Sequence, residues 1–147
     1  MPVDFAPFNS RDDDIVFVIE GNDVIRSALH FILTHQNETH SFATLDLAYA
    51  RAGDMTPDLI LLGIDLLGQE GRTVLSQICR RFPSAEIMIV ANTVDDPLAL
   101  KALRWGAHDV LGKPISFDSI HRSVNGVLRR RKQAATLLGL LPPSAAW

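Results

Sequence analysis

Three short, unbroken apolar runs constrain this chain most: Ile15–Ile19 (IVFVI), Leu59–Leu62 (LILL) and Ile87–Ala91 (IMIVA). A strand with one wet face alternates polar and apolar residues, so a run without alternation belongs to a strand covered on both faces. Between the runs the period changes. Ile25, Ala28, Leu29 and Ile32 fall at i, i+3, i+4 and i+7, the buried stripe of one helix, with Asn22 or Asp23 as its cap. Val74, Leu75, Ile78, Cys79 and Phe82 mark a second stripe over roughly residues 72–82, ended by Pro83. On that reading Cys79 is a packed thiol rather than a reactive one.

Weaker signals fill the gaps. Residues 39–44 read as a strand, polar at its start and therefore near a sheet edge, and residues 45–52 as a short helix stopping at Gly53. Asp96-Pro97 opens a helix with a cap followed by proline, ending near Gly106. Residues 109–112 form a fifth short strand, closed by Lys113-Pro114. Ser116 caps a last helix that buries Phe117, Ile120, Val124, Val127 and Leu128; its end, Arg129-Arg130-Arg131-Lys132, complements the negative pole of the helix. Five strands alternating with helices on short connections demand right-handed crossovers and a parallel sheet covered on both faces. The expected fold is α/β, a flavodoxin-like (βα)5 doubly wound sheet in strand order 2-1-3-4-5. Residues 1–14 read as a loose leader, 15–132 as the domain, and 133–147 as a tail or linker stub.

Composition narrows the setting. The chain's 147 residues suit one domain, and a formal net charge of -3 gives no general argument for nucleic acid as a partner. The single cysteine excludes an intrachain disulfide and fits a reducing cytoplasm. No apolar run is long enough to span a bilayer, and the start of the chain lacks a signal peptide's pattern. The expectation is a cytoplasmic protein without a membrane partner.

In a doubly wound sheet, ligands gather at the carboxyl ends of the strands. Those ends carry Glu20-Gly21, Gly63 with Asp65 two residues on, Ala91-Asn92 and Lys113-Pro114. The first turn, Glu20-Gly21-Asn22-Asp23, is acidic and lacks the glycine-rich fingerprint of a nucleotide or flavin phosphate site.

With these residues, and with Ala99, Ala102-Leu103, Gly106-Ala107 and Asp109 ahead of Lys113-Pro114, the chain resembles the receiver domain of two-component response regulators. The resemblance covers about residues 15–132; residues 57–71 look like the segment running into and past the family's phosphorylated aspartate. It implies a role in phosphorelay signalling and a cis bond before Pro114. The family's chemistry uses an acceptor carboxylate, an acidic pair holding Mg²⁺, a hydroxyl, a lysine and an aromatic reporter. At the corresponding positions stand Gly63, Glu20 followed by Gly21, Ala91, Lys113 and Val110. Only the lysine is intact, so the expectation is a pseudo-receiver with no catalytic residue, no cofactor and weak or absent Mg²⁺ binding.

Alternatives remain: Asp65 as a non-standard acceptor, Glu20 and Asp65 as residual cation contacts, or a small-ligand sensor using the vacated pocket. Lys113 is expected to pair with Glu20 or Asp65. The resemblance further implies a histidine kinase or downstream regulator as partner. It places the interaction surface, and a homodimer contact, on the fourth helix, fifth strand and fifth helix. Arg104, Trp105, Val110, His121 and Arg122 are the candidate residues there. Trp105 is either a half-buried member of the helix stripe or, if exposed, an aromatic anchor.

Overall fold

The computed structural model describes residues 14–137. Five strands run through it: β1 (Ile15–Ile19), β2 (Glu38–Phe42), β3 (Leu59–Gly63), β4 (Glu86–Ala91) and β5 (Asp109–Gly112). Five helices connect and follow them: α1 (Asp23–Leu33), α2 (Leu45–Arg51), α3 (Gly71–Arg81), α4 (Pro97–Arg104) and α5 (Phe117–Leu137). All strand pairs are parallel, in the order β2-β1-β3-β4-β5, which is the order expected from the sequence.

The strands that read as doubly buried are so. Val16 to Ile19 and Leu59 to Leu62 are fully shielded, and alternate residues feed two cores. Phe17, Ile19, Ile60, Leu62, Ile87 and Ile89 pack with residues of α2, α3 and α4; Val16, Val18, Leu59, Leu61, Met88 and Val90 pack with α1 and α5. Phe17 anchors the first core, meeting Phe42 at 5.2 Å and Phe82 at 5.5 Å between centroids, both edge-on.

Local chemistry sets the element ends. The Asn22 side chain accepts from Ile25 N, that of Thr44 from Leu47 N, and that of Asp96 from Leu98 N and Ala99 N. The Ser116 hydroxyl accepts from Ser119 N. The Lys113–Pro114 bond is cis, as the resemblance implied. The segment after β3 is more ordered than a plain loop: residues Ile64–Glu70 wind as a 3-10 helix with a kink at Gly68.

Several expectations change, and Phe117, read as buried, is 44% exposed. The last helix does not stop at Lys132 but runs to Leu137, because Gln133, Ala134 and Leu137 favour helix and nothing there breaks it. Its basic run therefore lies inside the helix rather than at its pole, and it pairs across the amino edge of the sheet. Arg130 reaches Asp109 at 3.5 Å, Arg131 reaches Asp58 at 2.9 Å, and Lys132 reaches Asp14 at 3.5 Å. Burial raises the Asp14 carboxyl above the usual range, with Lys132 pulling the other way. Cys79 is exposed, not packed. The buried stripe of α3 is Gly71, Leu75 and Ile78, and a residue one step past Ile78 is turned about 100° away from it.

Candidate functional site

The carboxyl edge of the sheet brings together the residues expected there, in an arrangement the sequence did not show. β3 ends at Gly63, which is buried between β1 and β4. Glu20, the first residue after β1, is only 6% exposed and turns its side chain inward. A Cβ placed on Gly63 would lie 2.5 Å from Glu20 Oε1, 2.8 Å from Cδ and 3.0 Å from Oε2. The Glu20 carboxylate thus occupies the space in which a side chain at position 63 would begin.

Glu20 is held on several sides. Its backbone N–H donates to Phe42 O at 3.0 Å, and its Oε2 accepts from Asn22 N at 3.0 Å. Its carbonyl accepts from Arg26 Nη1 at 2.8 Å, while Arg26 Nη2 pairs with Asp23 at 2.5 Å. α1 is thereby tied to the residue that fills the pocket.

The remaining positions are spread around this plug. Gly21 is exposed, with nothing nearer than 3.9 Å to a Cβ placed on it. Ala91 is fully buried at the end of β4 and offers no hydroxyl. Asp65 is exposed on the 3-10 turn. Lys113 does not pair with Glu20 or Asp65: its Nζ donates to Asn92 Oδ1 at 3.1 Å, and its backbone N–H to Ala91 O at 3.2 Å. Continuing directly from β5 beside β4, the lysine is handed to the residue after β4 before it can cross to β1. Among the described residues no group of three or more His, Cys, Asp or Glu side chains could hold a metal ion.

The fourth-helix face divides likewise. Trp105 is half-buried, and its Cζ3 would lie 2.9 Å from a Cβ on Gly71, so the absence of a side chain at Gly71 admits the indole between α3 and α4. Arg104 and Arg122 are exposed and Val110 is half-buried. His121 is not a rim residue. It is 8% exposed, lies 4.4 Å from Phe117 between ring centroids, and has neither ring nitrogen hydrogen-bonded. It sits one residue after Ile120 and three before Val124, which keeps it on the inner side of α5 against α1. An orphaned donor and acceptor in such a place cost about 1–3 kcal/mol, so His121→Leu is expected to raise stability by roughly 1 kcal/mol in urea unfolding. A loss of stability in that variant would show that the imidazole is satisfied.

Sequence reasoning missed the apolar surface beside this face. Val94 is 62% exposed, in the turn before α4, and Leu100 and Leu103 are 44% and 39% exposed along the helix. The signal was present in Leu100 and Leu103, which fall off the Ala99, Ala102 stripe.

Comparison with known proteins agrees with this fold. Residues 16–125 match the family model described as the response regulator receiver domain. The chain is 30% identical over 132 residues to the C4-dicarboxylate transport transcriptional regulatory protein DctD of Pseudomonas aeruginosa, covering 87% of this chain and 28% of that protein. It is 31% identical over 105 residues to the DNA-binding transcriptional regulator NtrC of Salmonella typhimurium, covering 71% of this chain and 22% of the relative. This chain therefore spans less than a third of the length of these two relatives. Among solved structures, the receiver domain of NtrX from Brucella abortus superposes with a TM-score of 0.68 at 28% identity, covering 79% of this chain and 98% of that one. With the sheet order, the cis Lys113–Pro114 bond and this match in agreement, the chain belongs to the response regulator receiver domain family.

Proposed function

We propose that this receiver domain works without phosphotransfer, as a protein-binding module in a two-component or related regulatory pathway. The observation that carries the reading is the Glu20 carboxylate lying where a side chain at Gly63 would start. An acceptor carboxylate is absent from that position, and the space it would need is taken. The hydroxyl position is the buried Ala91, and the lysine is bonded to Asn92. In-line attack on phosphorus requires close placement of every participant, and the exposed Asp65 has none of these around it.

Binding falls to the face made by α4, β5 and α5. Val94, Leu100 and Leu103 give it exposed apolar area, Val110 is half-buried on β5, and Arg104 and Arg122 add exposed cations. Exposed apolar groups accompanied by cations suit a protein contact. The partner on this reading is a histidine kinase, a downstream regulator or a second copy of the chain, and the domain itself is a signalling module rather than a catalyst.

Incubation with acetyl phosphate and Mg²⁺, followed by intact mass measurement, tests the reading. The expected result is no phosphoryl adduct at any time and no thermal shift with beryllofluoride and Mg²⁺. An adduct mapping to Asp65 or Glu20 would overturn it.

A further inference from the structure

α3 and α4 together carry five cations and no acid: Arg72, Arg80 and Arg81 on α3, Lys101 and Arg104 on α4. All five are exposed. Arg81 is turned away from α4, donating to Gly53 O at 3.2 Å and lying over the Phe82 ring. The side chains of the other four make no hydrogen bond or ion pair among the described residues. At the amino edge of the sheet the pattern is the reverse, since Arg130, Arg131 and Lys132 each meet an aspartate. In a chain whose formal net charge is -3, four uncompensated cations on one side are a marked asymmetry.

The two helices lie side by side. Trp105 packs over Gly71, and a Cβ on Gly106 would lie 3.8 Å from Cys79 Sγ. Cys79 follows Arg72 by two helical turns, so Arg72 points to the same side of α3, toward the end of α4. Arg72, Ser76 and Arg80 form one i, i+4, i+8 row of about 12 Å. With Thr73 and Gln77 they line a shallow depression on the outer side of α3. On α4, Lys101 and Arg104 alternate with the exposed Leu100 and Leu103.

We propose that this α3–α4 face docks a short, acidic, amphipathic segment of a partner protein. Arg72, Arg80, Lys101 and Arg104 meet its carboxylates, and Leu100 and Leu103 meet its apolar side. The proposal rests on the reading of the domain as a binding module and names the chemistry of a partner. Two features favour a protein segment over nucleic acid. The carboxyl edge just above both helices carries the exposed acids Asp65, Glu70 and Asp95, which a long phosphate backbone would run against. Leucines interleaved with the cations add nothing to a phosphate contact but suit the apolar stripe of an acidic helix.

The test uses the full chain, ¹⁵N-labelled, titrated with a synthetic glutamate–leucine amphipathic peptide. A glutamine-for-glutamate version of the peptide and a short DNA duplex are titrated in parallel. The glutamate peptide is expected to bind and to shift amides of α3 and α4. Binding should weaken at least about tenfold in R72E/R80E/K101E/R104E, and change little in R51E/R129E, as expected when complementary charge sets the contact. The proposal is overturned by an absence of peptide binding, by equal weakening in both variants, by amide shifts on the end of α5, or by tighter binding of the duplex. Phosphoryl uptake is read separately by mass, so a failure here removes this surface and leaves the phosphotransfer reading to its own result.

Discussion

Replacing Arg131 with alanine is expected to lower stability by about 2–3 kcal/mol, while Arg129→Ala changes it by less than about 0.5 kcal/mol. The side chain of Arg131 is 26% exposed and satisfies three contacts at once. Its Nη1 pairs with Asp58 at 2.9 Å, and its Nε and Nη2 donate to Ser84 O at 3.1 and 2.8 Å. Alanine leaves a mostly buried carboxylate without its cation and a carbonyl without its donors. Because both partners are partly wet, the loss falls below the 3–5 kcal/mol of a fully buried pair broken from one side. At about 4 °C per kcal/mol for a domain of this size, the melting temperature should fall by roughly 8–12 °C. Thermal unfolding followed by circular dichroism checks it, and equal shifts in the two variants would show that the pair is not what holds this end of α5. Asp58→Asn should cost less, since an amide oxygen can still accept the Ile15 N–H that now lies 2.9 Å from Oδ2.

The second large effect concerns Gly63. Alanine there puts a methyl group 2.5 Å from Glu20 Oε1, closer than real Cβ contacts come, so the carboxylate must withdraw. Withdrawal breaks its bond to Asn22 N and disturbs a side chain that is 6% exposed. The expected cost of Gly63→Ala is about 1–3 kcal/mol, typical of overpacking. In a Glu20→Ala background the same change should be far cheaper, giving an interaction energy of about 1–2 kcal/mol in the double-mutant cycle. Gly63→Asp should cost more than Gly63→Ala, because two carboxylates would then share one small site. Denaturant unfolding of the four members of the cycle measures this directly. Strict additivity would mean that Glu20 moves aside freely and does not guard the position.

The fold was legible because its strongest signals are local. IVFVI, LILL and IMIVA can only be strands wet on neither side, and Asn22, Asp96-Pro97 and Ser116 mark helix starts within a few residues of themselves. The site was half legible. That Gly63, Ala91 and Lys113 share one edge follows from strand order, but which side chain fills a gap depends on pairs far apart in sequence. Glu20 and Gly63 meet only because β1 and β3 are neighbours in the sheet. The expected partners of Lys113 failed for the same reason: Asn92, not an acid, stands at the end of the adjacent strand. Cys79 was lost to a single step of helical phase. The pairing of α5 had a readable clue, namely an acid at or just before the starts of β1, β3 and β5 in Asp14, Asp58 and Asp109, facing a basic run of four. Dipole complementarity accounted for that run well enough to hide the better explanation.

Those three pairs have a mechanical consequence. Arg130, Arg131 and Lys132 fasten one short stretch of α5 to the bases of β5, β3 and β1, which together span most of the width of the sheet. A twist or pull applied at Leu137 is therefore shared among three strands instead of prying the helix off one groove. α5 behaves as a lever clamped about two-thirds of the way along its 21 residues, so a tilt of its far end is passed to three strands at once.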